Sequence, residues 1–178
     1  METIQIKDKI FRPYMSVEDI NEILDSLSAQ LNRDYADKDP LLIIVLNGAF
    51  IFAADLCKKL TIPCRLSLIK VSSYQGTEST NQISNLIGLK ESLKNEHIII
   101  VEDIIDTGNT MEYLLKTVSS HQPASMAICS LLFKPNSFSK DYKINYIGRS
   151  IPDDFVVGYG FDYDGYGRNL PCIYQLNA

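Results

Sequence analysis

The segment IIIVEDIIDTGNTM, Ile98–Met111, runs from continuous apolar residues into two adjacent carboxylates, Glu102 and Asp103, a third at Asp106, and then Thr107-Gly108-Asn109-Thr110. The β-branched run His97 to Val101 suits a parallel strand covered on both faces. Thr110, Met111, Leu114, Leu115 and Val118 follow at helical spacing. The unit therefore reads as strand, turn and helix, with the acidic and glycine-containing segment Glu102 to Asn109 as the connection. A turn of small residues opening a helix exposes backbone N–H groups. With the helix dipole and the threonine hydroxyls these form a cradle for a phosphate. Carboxylates beside such a cradle make electrostatic sense if they hold sugar hydroxyls or a divalent cation. The plain alternative is a connection in which Asp106 merely caps the helix and Glu102 and Asp103 are solvated.

Outward from this unit, the same alternation recurs. LLIIVL, Leu41–Leu46, is a short apolar run ending at Asn47-Gly48, and Phe50 to Leu60 resumes a helical pattern. Ser16 and Asp19 form a capping-box variant ahead of Ile20, Ile23, Leu24, Leu27 and Leu31, which predicts an opening amphipathic helix. Further strands are expected at Arg65 to Val71, at Ala124 to Phe133, and near Asn145 to Gly148, Phe155 to Gly158 and Pro171 to Tyr174. The polar stretch Ser72 to Asn85 reads as a long mobile loop. Alternating strands and helices predict a mostly parallel α/β sheet, whose ligands bind beyond the carboxyl ends of the strands. Asn47-Gly48, the Glu102 to Thr110 turn and the residues after Phe133 are at those ends.

At 178 residues the chain is long enough for one well-buried core and short for two, so residues 1–178 are expected to form a single domain. A net charge of −5 opposes any function that neutralises nucleic-acid phosphates or anionic lipid. Cys57, Cys64, Cys129 and Cys172 form no CxxC pair and read as small buried hydrophobes in a reducing compartment. METIQIKDKI lacks an apolar signal core, and no apolar run is long enough to span a bilayer, so a cytoplasmic location is expected. There is no GxxxxGK[ST] loop, and Gly158, Gly160, Gly165 and Gly167 do not lead into a helical pattern, which disfavours nucleotide hydrolysis and dinucleotide binding.

Taken together, IIIVEDIIDTGNTM resembles the phosphoribosyl-pyrophosphate motif of the phosphoribosyltransferases, and its VEDIIDTG core resembles their hypoxanthine-guanine branch. The resemblance implies the type I fold, a mostly parallel sheet flanked by helices with a small hood formed by the terminal segments. It also implies phosphoribosyl pyrophosphate and a 6-oxopurine as substrates, Mg²⁺ as cofactor, and a homodimer or homotetramer. By the same resemblance Thr107, Gly108, Asn109 and Thr110 hold the 5′-phosphate, Glu102 and Asp103 the ribose hydroxyls and metal, and Asp106 is the general base.

Three further segments fall in the family's order. LNGAF, Leu46–Phe50, resembles the loop that meets pyrophosphate with backbone amides, with the Leu46–Asn47 peptide the candidate for a cis bond and Asn47 and Gly48 the contact residues. The family often has Lys or Arg where this chain has Asn47, which removes a positive charge near pyrophosphate. SSYQGTEST, Ser72–Thr80, is similar to the family's closing loop, with Ser73 and Tyr74 as the matching pair. FKP at Phe133–Pro135 and IPDDFVVGYGFDYDGYGRNL at Ile151–Leu170 complete the match. They imply that Lys134 donates to the purine 6-oxygen, that Phe155 stacks on the base opposite Ile104, and that Val156 meets the ring edge. Asp162 would bind Mg²⁺ beside the purine, and Arg168 would contact pyrophosphate. The rival readings are a xanthine-preferring or a pyrimidine enzyme of the same family, the latter needing partners other than Lys134 and Phe155, and a regulator of the same fold that binds nucleic acid.

Overall fold

The computed structural model describes residues 2–73, 83–88 and 92–177. Its central sheet has the order β5-β4-β3-β6-β7-β8, built from β3 (Leu41–Leu46), β4 (Arg65–Ser73), β5 (Ile83–Ile87), β6 (His97–Ile105), β7 (Ser125–Phe133) and β8 (Tyr146–Ser150). Five strands run parallel, and β5 alone pairs antiparallel, with β4. Continuous apolar runs are expected when both faces are covered, and Leu41 to Val45 and Ile98 to Val101 are buried throughout. On one face lie α1 (Val17–Asp34) and α2 (Ala49–Lys59), packed on Leu42, Ile44, Ile99 and Val101. On the other, α3 (Asn109–Ser119) buries Met111, Leu114 and Val118 against Ile43, Val45, Ile98 and Ile100.

The opening helix forms as its sequence predicts. Asp19 N–H donates to Ser16 Oγ at 3.1 Å, and Ser16 N–H donates to Asp19 Oδ2 at 2.9 Å. Ile20, Ile23, Leu24, Leu27 and Leu31 are buried. Leu27 is fully enclosed, and its truncation to Ala costs about 2–5 kcal/mol in such a core. All four cysteines are free thiols, Cys129 and Cys172 buried and Cys57 and Cys64 half-buried; burial pushes the Cys129 thiol up to about 12, leaving it inert. Among the described residues no helix is long and apolar enough to cross a membrane.

A second, antiparallel sheet of order β1-β2-β10-β9 joins the two ends of the chain: β1 (Ile4–Ile6), β2 (Lys9–Met15), β9 (Val156–Val157) and β10 (Ile173–Leu176). This is the expected hood. Across it, Arg12 Nε and Nη2 donate to Gln175 Oε1 at 3.2 and 3.0 Å.

Two expectations need correction. β6 does not stop at Val101: its ladder with β7 continues through Glu102, Ile104 and Ile105, because Ile104 and Ile105 extend the apolar pattern past the acids. The stretch Ser72 to Asn85 is not one loop, since β4 runs on to Ser73 and Ile83 to Ile87 pairs back on it; residues 74–82 lie outside the described region.

Candidate active site

From β3 the chain passes to β4 on one side, while β6 lies on the other, so the strand order reverses between β3 and β6. Open α/β sheets bind ligands at such a reversal. The carboxyl ends of these two strands carry Asn47-Gly48 and Glu102-Asp103. The Leu46–Asn47 peptide is cis, as expected, and Gly48 caps α2. Gly48 lies directly against Asp103: a Cβ there would fall on the Asp103 carboxylate.

Glu102 and Asp103 stay close enough for their side chains to interact, yet each lines a different hollow. Glu102 lines a hollow of about 100 Å³ at the start of α3, and Asp103 lines a cleft of about 230 Å³ that includes Arg168. Both acids are pushed above the ordinary carboxylate range, first by burial and, for Glu102, next by the Asp103 charge. Asp103 Oδ1 accepts from the Ile104 N–H at 2.9 Å, whereas Glu102 Oε2 is buried with no hydrogen-bond partner. A buried acceptor without a donor is costly, and it suits a hydroxyl or a hard cation brought by a ligand. The expected Mg²⁺ set of Glu102, Asp103 and Asp162 is not gathered, however. Among the described residues no three His, Cys, Asp or Glu converge on one point. Asp162 is engaged elsewhere, with Arg168 Nη2 2.5 Å from its Oδ1 and Gly165 N–H donating to its Oδ2 at 2.6 Å.

The cradle forms around Gly108, which adopts φ +85° and caps α3 without a side-chain hydrogen bond. Asp106 therefore does not cap the helix. Glu112 N–H is the first to close a helical hydrogen bond, onto the Gly108 carbonyl at 2.9 Å, and the amides ahead of it face the open end of the helix. Thr107, Gly108, Asn109 and Thr110 line the small hollow with Asp106; Thr107 and Asn109 are exposed and Thr110 half-buried.

The larger cleft brings together Ile104, Asp106, Lys134, Phe155, Val156, Asp162 and Arg168, all expected site residues. Lys134, its side chain 12% exposed, donates from Nζ to Asp106 Oδ2 at 2.9 Å. Phe155 is 45% exposed, which leaves part of its ring open to the cleft. Arg168 donates to the Gly160 carbonyl at 2.6 Å, and a Cβ on Gly160 would meet the Gly48 carbonyl at 2.2 Å, so the Arg168 turn is seated on the Asn47-Gly48 loop. Phe161 also lines this cleft and was missed; its only sequence signal is its place within GYGFDYDG. Asn47 stands at the end of β3, its carbonyl accepting from Phe50 N–H at 3.4 Å. The Ser73 backbone ends β4, and Tyr74 lies outside the described residues.

An amide-lined hollow and a base-sized cleft at the reversal of a parallel sheet define a site for a phosphorylated sugar carrying a heterocycle. The sequence profile of the phosphoribosyl transferase domain matches residues 16–164, and the chain belongs to that family. Within it, the chain is 39% identical to a hypoxanthine-guanine phosphoribosyltransferase of Staphylococcus epidermidis over 165 residues, 92% of each chain. It is similar in structure to a hypoxanthine-guanine phosphoribosyltransferase of Bacillus anthracis, with TM-score 0.85, 34% identity, and 96% and 99% of the two chains covered. The hypoxanthine phosphoribosyltransferase of Trypanosoma cruzi gives TM-score 0.84 at 32% identity, covering 93% of this chain and 96% of that one.

Proposed function

We propose that this protein transfers the 5-phosphoribosyl group from phosphoribosyl pyrophosphate to N9 of hypoxanthine or guanine, releasing pyrophosphate and IMP or GMP in purine salvage. One observation carries the reading: the small hollow and the larger cleft share Ile104 and Asp106, so a site for a phosphate and a site for a planar base adjoin each other.

In this reading the amides and hydroxyls of Thr107 to Thr110 hold the 5′-phosphate, and Glu102 and Asp103 accept from the ribose hydroxyls. The base lies between Phe155 and Ile104, its edge against the Val156 backbone and its 6-oxygen receiving a hydrogen bond from Lys134. To donate there, Lys134 turns from Asp106, which frees that carboxylate. N9 then bonds to the anomeric carbon, the bond from that carbon to pyrophosphate oxygen breaks, and Asp106 takes the N7 proton. The amides of Asn47 and Gly48 and the Arg168 guanidinium stabilise the departing pyrophosphate. Hard oxygen donors at Glu102, Asp103 and Asp162 suit Mg²⁺, which when bound neutralises charge on the pyrophosphate. Because Mg²⁺ keeps few protein ligands and binds largely through substrate phosphates, the scattered carboxylates agree with a metal that arrives with its substrate.

The same reading includes one domain over the chain, a cytoplasmic location and a homodimer or homotetramer. A related Trypanosoma cruzi enzyme, 31% identical, was solved to study how its C-terminal region affects oligomeric state. The test is a panel of hypoxanthine, guanine, xanthine, adenine and orotate, each with phosphoribosyl pyrophosphate and Mg²⁺. Hypoxanthine and guanine should release pyrophosphate, and chelation should stop both. Preference for adenine, or no product from any base, overturns the reading.

A further inference from the structure

The connection from β7 to β8 begins with Lys134 at the base cleft and folds back across the start of α3. Tyr142 OH donates to the Gly108 carbonyl at 2.9 Å, the same carbonyl that accepts the first helical hydrogen bond from Glu112 N–H. A Cβ on Gly108 would meet Tyr142 Oη at 2.5 Å, Phe138 Cε2 at 2.8 Å and Lys140 Cγ at 2.9 Å. Lys140 Nζ donates to Glu112 Oε2 at 2.8 Å, and the Phe138 ring stands edge-on to Tyr142 with centroids 5.2 Å apart. The strap thus holds Gly108, at the centre of the cradle, from behind.

We propose that Tyr142 is a positioning residue for the 5′-phosphate: its hydroxyl fixes the Gly108 peptide so that the adjoining amides stay aimed into the hollow. A left-handed glycine has broad conformational freedom, and a peptide free to rotate would lose that aim. The second hydrogen bond on the Gly108 carbonyl limits the rotation. Burial, with Glu112 next, raises the Tyr142 pKa, so the hydroxyl remains a donor through the neutral range.

The inference rests on the phosphoribosyl reading, and its test separates the two. Tyr142→Phe keeps the ring and removes only the hydroxyl. Loss of one neutral hydrogen bond should raise KM for phosphoribosyl pyrophosphate and Kd for ribose 5-phosphate together by roughly three- to tenfold, with kcat and KM for hypoxanthine nearly unchanged and Tm lowered by no more than about 5 °C. Tyr142→Leu, which also removes the aromatic contact, should lower Tm as well. A Phe variant that binds ribose 5-phosphate like the wild type overturns the proposal, as does equal weakening toward hypoxanthine and the sugar phosphate. If the wild type binds ribose 5-phosphate yet transfers no base, the transfer reading fails while the Kd comparison still decides Tyr142. A wild type that does not bind ribose 5-phosphate overturns both.

Discussion

A Cβ built on Gly48 would stand 1.6 Å from Oδ2 of Asp103, so the first turn of α2 and the end of β6 meet with no room for a side chain. Gly48 has ordinary helical angles, φ −63° and ψ −44°, and its identity is set by this contact and not by backbone freedom. Gly48→Ala must displace either the carboxylate or the loop. It should cost about 1–3 kcal/mol in denaturant unfolding, as overpacking does, and should raise KM for phosphoribosyl pyrophosphate. A stable variant with unchanged KM would show that the Asp103 carboxylate moves aside freely.

Asp106 is in both hollows and does not cap α3. Asp106→Asn should lower kcat by about 10²–10⁴, the usual loss of a positioned base, while near-ultraviolet circular dichroism stays native. Undiminished turnover would remove Asp106 from the chemistry.

In the proposed reading Lys134 discriminates between bases. A donor aimed at a 6-oxygen faces another donor when a 6-amino group enters, so the wild type should refuse adenine. Lys134→Met should lower kcat/KM on hypoxanthine by roughly 10- to 100-fold, as expected for a lost charged hydrogen bond, and should narrow the gap to adenine. Equal losses on the two bases would place the discrimination elsewhere in the cleft.

Asp19 closes the capping box of α1. The Ser16 N–H, then the Ser16 hydroxyl, hold its carboxyl below the usual range. A depressed folded-state pKa contributes stability that is present above the unfolded value, about 3.9, and is lost as pH falls through the folded one. The stability gap between wild type and Asp19→Ala should therefore be larger at neutral pH than at pH of about 3. A gap that does not narrow in acid would mean the charge is irrelevant to the cap. Ser16→Ala should cost about 1 kcal/mol in the same measurement.

The cradle was legible because its parts are contiguous: an apolar strand, acids and a small-residue turn fix strand end and helix start without help from elsewhere. Lys134, Phe155 and Arg168 needed the family resemblance, since nothing local distinguishes them from a surface cation or a core ring. β1 and β2 were not read as strands. Pro13 interrupts the pattern of β2, and its pairing partner is Tyr174, at the other end of the chain. Tyr142 was passed over for a similar reason, because its contact with Gly108 crosses 34 residues and no periodicity announces it. The extension of β6 was missed because carboxylates are read as turn residues, although a strand end that faces a ligand tolerates them.

The hood has a consequence for how the protein is made. Val156 meets its sheet only through β10, and β10 is bound in turn to β2, a partner 163 residues away at the Arg12–Gln175 contact. During vectorial synthesis the sugar-phosphate cradle, complete once β8 is laid down, can form while the ribosome is still working. The wall proposed to meet the purine must wait for residues 173–176 to emerge. In that reading a nascent chain would shape its 5′-phosphate cradle before it could tell one acceptor from another.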